Sequence, residues 1–428
     1  MSNIKEKILI VFPSLLISLI PITLISGPFL SDLSVVIVSI LFLVNIFIYK
    51  EYKFLNNKFF KFFIIFFSYI VFNSIIKYYD IHSLRSSLGY LRFGFFFMGV
   101  FYFLEKKPQI IKWLFFVFVF CFIILIFDGF LQYFLKTNFF NITFEKGRIT
   151  SLFGSEHILG SYLSRLFPIF LGITFLLYKE KKQYILFISV LFILIEILIF
   201  LSGERSAFFF NTLAALFLII MLKDFKKIRF FSLMISIFLI FIITIYDDSA
   251  KKRIWDQTIN QIGFNSNNLN LFSEGHESHY KSAYKMFEDN KIMGIGIRNF
   301  RNFCNERKYR ISYKNIIVPH QVYHQSSCRT HPHNTYVQLL SETGVIGFSF
   351  IIFILFYFIY KNFYHLFSAV KNKQYYFKDF EVCLMAAMLI SIWPLVPTGN
   401  FFNNWLSIIY YFPIGFFLWS FKKNRGKE

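Results

Sequence analysis

Twelve apolar stretches divide this chain, near residues 8–26, 33–49, 59–77, 88–104, 110–135, 158–178, 184–202, 206–222, 230–247, 334–360, 380–397 and 404–421. Each is about long enough to cross roughly 30 Å of hydrocarbon as a helix. In that solvent a segment must satisfy its own backbone polar groups, and the helix does so. Apolar residues make up 56% of the 428, with mean hydropathy +0.55. That excess excludes an ordinary soluble enzyme, a coiled coil and a disordered chain. The first stretch follows Lys5 and Lys7 but no small-residue cleavage site comes after it, so it is expected to be retained.

Charge sets the orientation. Lys50, Lys53 and Lys58, then Lys106 and Lys107, Lys179 to Lys182, Lys223 to Arg229, Lys361 to Lys378 and the tail Lys422 to Lys427 fall in alternate loops. By the positive-inside rule both termini are cytoplasmic and residues 248–333 lie on the opposite face. Most of the net charge of +21 is thus topological, and no nucleic-acid partner is expected. The expected fold is an all-α integral membrane protein of about twelve transmembrane helices, with a large outer segment between the ninth and tenth. It divides into helices one to nine (1–247), an outer loop with short helices (248–333) and helices ten to twelve (334–428).

Ionisable groups inside spans are expensive and are candidates for function. Arg92, Asp128, Arg165 and Glu196 lie in the fourth to seventh stretches. Arg85 and Arg92, seven apart, would share a helical face as a cationic stripe from the outer surface. The structural alternative pairs Arg92 with Asp128 and Arg165 with Glu196. The short turn Ser202-Gly203-Glu204-Arg205-Ser206 holds Arg205 at the start of a helix, where an anion would meet a guanidinium and free N–H groups. The alternative there is an arginine snorkelling to lipid phosphates.

The outer segment carries several further features. Cys304 and Cys328 both lie in it, and an oxidising compartment permits a disulfide worth roughly 3 kcal/mol on the chain-entropy model; the alternative is two free thiols. His276, His279, His320, His324, His331 and His333 supply enough imidazoles for zinc, although their spacing matches no closed structural site. Asp247-Asp248 reads as a solvated helix end, and Gly294-Ile295-Gly296 as a turn rather than a dinucleotide fingerprint. Residues Glu277 to Asn290 read as an amphipathic helix with Tyr280, Tyr284 and Phe287 on the side that lies on the bundle or the membrane.

The segment ends in His331-Pro332-His333-Asn334-Thr335-Tyr336 and enters the next span through Leu339-Leu340-Ser341-Glu342-Thr343-Gly344-Val345-Ile346-Gly347. With the upstream Gly294-Ile295-Gly296-Ile297-Arg298-Asn299-Phe300, this run resembles the O-antigen ligase and polymerase superfamily. Asp128-Gly129-Phe130-Leu131-Gln132, the Ser-Gly-Glu-Arg-Ser turn and Gly399-Asn400-Phe401-Phe402-Asn403 follow the family order, with the core of the resemblance at about 180–350.

The resemblance implies a metal-independent, cofactor-free glycosyltransferase of the GT-C type in a bacterial inner membrane. Such an enzyme moves a glycan from undecaprenyl diphosphate to an acceptor hydroxyl at the periplasmic face. Lipid A-core is the acceptor for a ligase in lipopolysaccharide biosynthesis, and the growing chain for a polymerase. On this reading His333 is the general base, with His331 as substitute. Arg205 acts in catalysis and, with Arg85, Arg92 or Arg298, binds the diphosphate. Asn334, Glu342, Arg165 and Asp128 have supporting roles, and one-step displacement inverts the anomeric centre. A transporter or flippase is the rival class, but the chain lacks the paired broken helices such folds carry.

Overall fold

Helices occupy all twelve apolar stretches in the computed structural model, which describes residues 6–77, 79–143, 147–262, 272–318, 321–371 and 373–425. The first half contains α1 (Phe12–Ser26), α2 (Pro28–Tyr49), α3 (Lys58–Ile76), the short α4 (Ile81–Gly89), α5 (Leu91–Lys106) and α6 (Ile110–Leu135). It continues with α7 (Leu159–Tyr178), α8 (Lys182–Leu201), α9 (Arg205–Met221) and α10 (Lys226–Tyr246). After α10 come α11 (Asp248–Lys251), α12 (Gln257–Ile262), α13 (Glu274–Asp289) and α14 (Phe300–Phe303). The chain closes with α15 (Thr335–Lys371), α16 (Asp379–Ile392) and α17 (Asn404–Arg425).

Among the described residues nine segments are long and apolar enough to cross a membrane, against the twelve expected. The difference lies in α9, which is 17 residues long, in α16, which is 14, and in the less apolar α17. Proline does not break these helices. Pro21, Pro168 and Pro413 all lie inside them, where packing against neighbours makes good the missing bond. Serine hydroxyls turn back on the preceding turn, as Ser18 does on the Ser14 carbonyl at 2.9 Å, so that they enter the bundle already satisfied.

The bundle is organised around α7, in which every residue from Leu159 to Phe175 except Ser161 is buried. It packs against α16, α8 and α9, while α5 packs against α17 and α2. Interlocking rings fill the second contact: Tyr90, Phe93 and Phe97 meet Tyr411, with Phe93 and Tyr411 stacked at 5.9 Å. In a bilayer such packing replaces the hydrophobic drive that holds soluble helices together.

The buried charges pair differently from the expected scheme. Glu196 on α8 forms an ion pair with Arg229 on α10, both nearly inaccessible, and also accepts hydrogen bonds from Ser236 and Asn211. Arg92 pairs with Asp32 on α2 at 2.8 Å. Asp128 accepts from Ser151 Oγ at 2.7 Å and from the Phe139 amide at 3.0 Å, so it anchors the connection after α6. Helix adjacency decides these partners: α8 packs directly on α10, and α2 on α5. The expected stripe of Arg85 and Arg92 does not face the large cavity: Arg85 is exposed on α4, and Arg92 is spent on Asp32 and the Gly89 carbonyl.

The long outer segment is not purely helical. Ser312–Val318 (β1) and Gln321–Ser326 (β2) pair antiparallel, with Ser312 opposite Ser326 and an irregularity between Ile316 and Val318. At its base Cys304 and Cys328 are disulfide-bonded, with their Cα atoms 4.9 Å apart. Amphipathic α13 is capped by Ser273, but its bundle side is His279, Ala283 and Met286; Tyr284 is exposed. The tyrosine stripe is offset by about 100°, one residue around the helix, from the face that packs. Asp247 takes a hydrogen bond from Tyr133 at 2.8 Å and caps the turn at Ser249, which makes Asp247-Asp248 a helix end.

Removing one partner of Glu196–Arg229 strands the other charge in the bundle, at a cost of about 3–5 kcal/mol. Glu196→Ala should therefore lower the thermal unfolding midpoint in detergent markedly. The double variant Glu196→Leu, Arg229→Leu should recover most of the loss.

Candidate functional site

Gly344 breaks α15, with φ of 64° and ψ of −167°. A Cβ there would lie 2.2 Å from the Ile292 carbonyl oxygen, so only glycine admits the neighbouring chain. The break frees backbone groups that the incoming segment uses. The Ile295 amide donates to the Ser341 carbonyl at 3.0 Å, the Gly296 amide to the Glu342 carbonyl at 2.9 Å, and the Val345 amide to the Lys291 carbonyl at 2.9 Å. Glu342 itself accepts from Gln338 at 3.0 Å and from the Phe300 amide at 3.4 Å. The two most distinctive runs of the sequence thus form one docking joint, with Glu342 behind the turn that carries Arg298.

The histidine run is held equally firmly. Asn334 caps α15, accepting from the Tyr336 amide at 2.9 Å and the Val337 amide at 3.1 Å, and donates to the Pro394 carbonyl at 2.7 Å. The Thr398 amide donates to the His333 carbonyl at 2.8 Å, and Thr398 Oγ1 accepts from the Thr335 amide. His333 sits at φ of 57°, a conformation non-glycine residues rarely adopt. Its ring is half-buried and lies 4.2 Å from that of His331, 5.4 Å from His279 and 5.8 Å from His276.

Below this cluster lies a cavity of about 1420 Å³ lined by His331, His333, His276 and a set of arginines. Arg205 opens α9 at the tight turn from α8, where Gly203 adopts φ of 65°. A Cβ on Gly203 would meet the side chains of both Arg148 and Arg253 at 3.1 Å, so the missing side chain lets two guanidinium stems close over the turn. Glu204 turns away and caps α7, accepting from the Gly160 amide at 2.6 Å, the Ser161 amide at 3.1 Å and Ser161 Oγ at 2.7 Å. Arg165 enters from α7. It is 3% exposed, it lies over the Phe210 ring at 4.9 Å, and among the described residues its Nε and Nη1 have no hydrogen-bond partner. On the far wall Arg298, also left-handed at φ of 59°, donates to Ser86 Oγ at 2.6 Å, with Arg301 beside it along the cavity. Phe209 and Leu395 line the rim and are 41% and 58% exposed, which gives the cavity an apolar lip.

The structure therefore brings Arg205, Arg165, Arg298, His331 and His333 to one cavity and leaves Arg85, Arg92 and Asp128 outside its lining. Arg148, Arg253, Arg301 and Glu204 were not identified from the sequence as site residues. Arg148 sits in a loop and Arg253 in a single helical turn, and the placement of both depends on packing; the one local signal for them is the glycine of the turn they cover.

Burial pushes the histidines down. Desolvation, with repulsion from neighbouring rings and arginines, brings His333 to about 3 and His331 and His276 to about 4. Their rings are neutral and able to accept a proton. His276 is hydrogen-bonded to Ser273 through Nδ1, His279 to the Ser327 carbonyl and His331 to Thr330 through Nδ1. Among the described residues no three His, Cys, Asp or Glu side chains are arranged to hold a metal ion. Of the zinc candidates, His320 and the side chain of His324 lie outside the described residues. A diphosphate bound among the arginines would offset their charge and lift the histidine rings towards the usual histidine value, which suits removal of a hydroxyl proton beside the bound anion.

A depressed histidine gains its proton only as pH falls towards its own value. Titration of the ligand-free protein by 15N NMR should find His276, His331 and His333 neutral at pH 5.5, a full unit below the ordinary histidine value of about 6.5.

Residues 187–352 match the family described as O-antigen ligase. This supports placing the chain in the O-antigen ligase/polymerase superfamily and suggests a glycosyl-transfer enzyme of a membrane. No curated protein matches it significantly.

Proposed function

We propose, on the premise of that superfamily, that this chain transfers a glycan from undecaprenyl diphosphate to an acceptor sugar hydroxyl at the periplasmic face of a bacterial inner membrane. The observation that carries the reading is one cavity holding both a proton acceptor, His333, and a group of guanidiniums around the α8–α9 turn. The lipid tail stays in the bilayer beyond the lip formed by Phe209 and Leu395. The diphosphate lies against Arg205, Arg148 and Arg253. Arg165 is the deepest contact, because a buried guanidinium with unpaired N–H groups is costly until an anion reaches it.

In the reaction the acceptor oxygen forms a bond to the anomeric carbon as the bond from that carbon to the phosphate oxygen breaks. The hydroxyl proton goes to His333, or to His331 in its place. The bonding electrons leave with the lipid diphosphate, whose growing charge the arginines stabilise. One displacement inverts the anomeric centre. The residues supply acid–base and electrostatic catalysis without metal or cofactor. The family likeness favours a ligase acting on lipid A-core, and a polymerase extending the chain is the close alternative. The joint at Gly344 and the cap at Asn334 serve both readings, since the first sets Arg298 and the second sets the base His333 in either case.

His333→Ala should reduce transfer from purified lipid-linked donor by 10²- to 10⁴-fold, the usual contribution of a positioned base, with the protein still folded and still binding donor. Full activity in that variant would remove the base assignment. Arg205→Ala should cost on the order of 10²-fold or more in kcat, with Arg205→Lys intermediate. Deletion in cells separates the two activities: a ligase defect leaves long polymer on the carrier, and a polymerase defect leaves single repeat units.

A further inference from the structure

The arginines of the cavity fall into two groups with the histidines between them. Arg205 shares its surroundings with Arg253 and Arg148, and its charge acts on His276. Arg298 shares its surroundings with Arg301, Glu342 and Asp80, and the charge of Arg301 acts on His331. From His276 to His333 to His331 the rings are successive neighbours at 5.8 and 4.2 Å. The order across the site is thus one cationic group, three imidazoles and a second cationic group. A single diphosphate at the first group leaves the second without an anion.

The second group is built to present charge to the cavity. The Arg298 guanidinium makes one side-chain hydrogen bond, to Ser86, and neither it nor Arg301 forms an ion pair among the described residues. The nearby acids are engaged elsewhere. Asp80 accepts from the Ser83 amide at 2.9 Å and from Asn302 at 3.1 Å, and Glu342 accepts from Gln338 and the Phe300 amide. The backbone that aims Arg298 is left-handed and is pinned by the joint at Gly344. Arg301 is covalently coupled to the histidine run through its neighbour Cys304 and the disulfide to Cys328.

We propose that Arg298 and Arg301 form a second anion subsite that binds a phosphate or carboxylate carried by the acceptor, making the acceptor an acidic saccharide. This rests on the transferase reading, and it moves Arg298 from the donor to the acceptor side. With its attacking hydroxyl at His333, the acceptor extends past His331, and its acidic group meets the two guanidiniums. A neutral sugar in the same place leaves both cations without a counter-charge, so the subsite selects by charge.

The test uses the full chain purified in detergent, titrated calorimetrically with inorganic pyrophosphate as the donor probe. Glucose 6-phosphate, glucuronate and glucose serve as acceptor probes. The expected result is that protein saturated with pyrophosphate still binds glucose 6-phosphate or glucuronate at least tenfold tighter than glucose. The two acidic probes distinguish phosphate from carboxylate recognition. Arg301→Gln, at an exposed position, and the double variant Arg298→Gln, Arg301→Gln should each erase that preference and leave pyrophosphate affinity within twofold. Arg205→Gln should do the reverse. Displacement of the acidic sugars by pyrophosphate, equal affinity for glucose, or indifference to Arg301→Gln would each overturn the second subsite. Loss of pyrophosphate binding alone, with acidic-sugar binding and its dependence on Arg301 intact, would instead overturn the donor reading and leave the subsite standing.

Discussion

The break in α15 at Gly344 is the joint on which the site depends. Without it the carbonyls of Ser341 and Glu342 would be used up inside the helix, and the 291–296 backbone would have nothing to bind. The inserted strand of chain finds amides and carbonyls in register, Glu342 closes over the Phe300 amide, and Arg298 is turned into the cavity as a result. A buried backbone has to bond somewhere, and two segments that each lack partners satisfy each other. The histidines follow from the same helix: Asn334 caps its start, and the left-handed residue just before the cap presents the His333 ring to the cavity.

Buried charge takes two forms in this bundle. Glu196 with Arg229 is an internally neutralised arrangement: the carboxylate takes up Arg229 Nη2 and Ser236, Nη1 goes to Ser232, and among the described residues Nε alone of the guanidinium lacks a partner. Arg165 is unfinished: it lies over an aromatic ring, has orphan N–H groups and opens onto the cavity. The first kind holds helices in register, while the second leaves a cation waiting for an anion from outside the protein. Presence in an apolar stretch alone did not distinguish them, since Glu196 and Arg165 are both ionisable residues within a span.

Much of the fold was legible because its determinants are local. A run of about twenty apolar residues specifies a helix wherever it packs, and all twelve appear at the expected places. The His-Pro-His-Asn run and the Ser-Gly-Glu-Arg-Ser turn were legible for the same reason, since a cap and a left-handed glycine act within a few residues. What depends on neighbours was not. Arg92 meets Asp32 rather than Asp128 because α5 packs on α2, and no period within either helix encodes that contact. Arg148 comes from an irregular connection, and Arg253 and Arg301 from single-turn helical pieces of the outer segment, whose position the rest of the molecule decides. The hairpin and the packed side of α13 were missed likewise: aromatic residues set the expected face, and small residues beside His279 set the real one.

The Cys304–Cys328 bridge joins the chain just before the hairpin to the chain just after it, so residues 305–327 form a ring attached to the site at a single covalent knot. Whatever happens within that ring, whether lengthening, shortening or a proteolytic nick, leaves the histidine run tethered to the turn that carries Arg301. The strands of the hairpin, beyond the Ser327 carbonyl that holds His279, are thereby an appendix free to diverge for outside contacts while the chemistry beneath keeps its alignment.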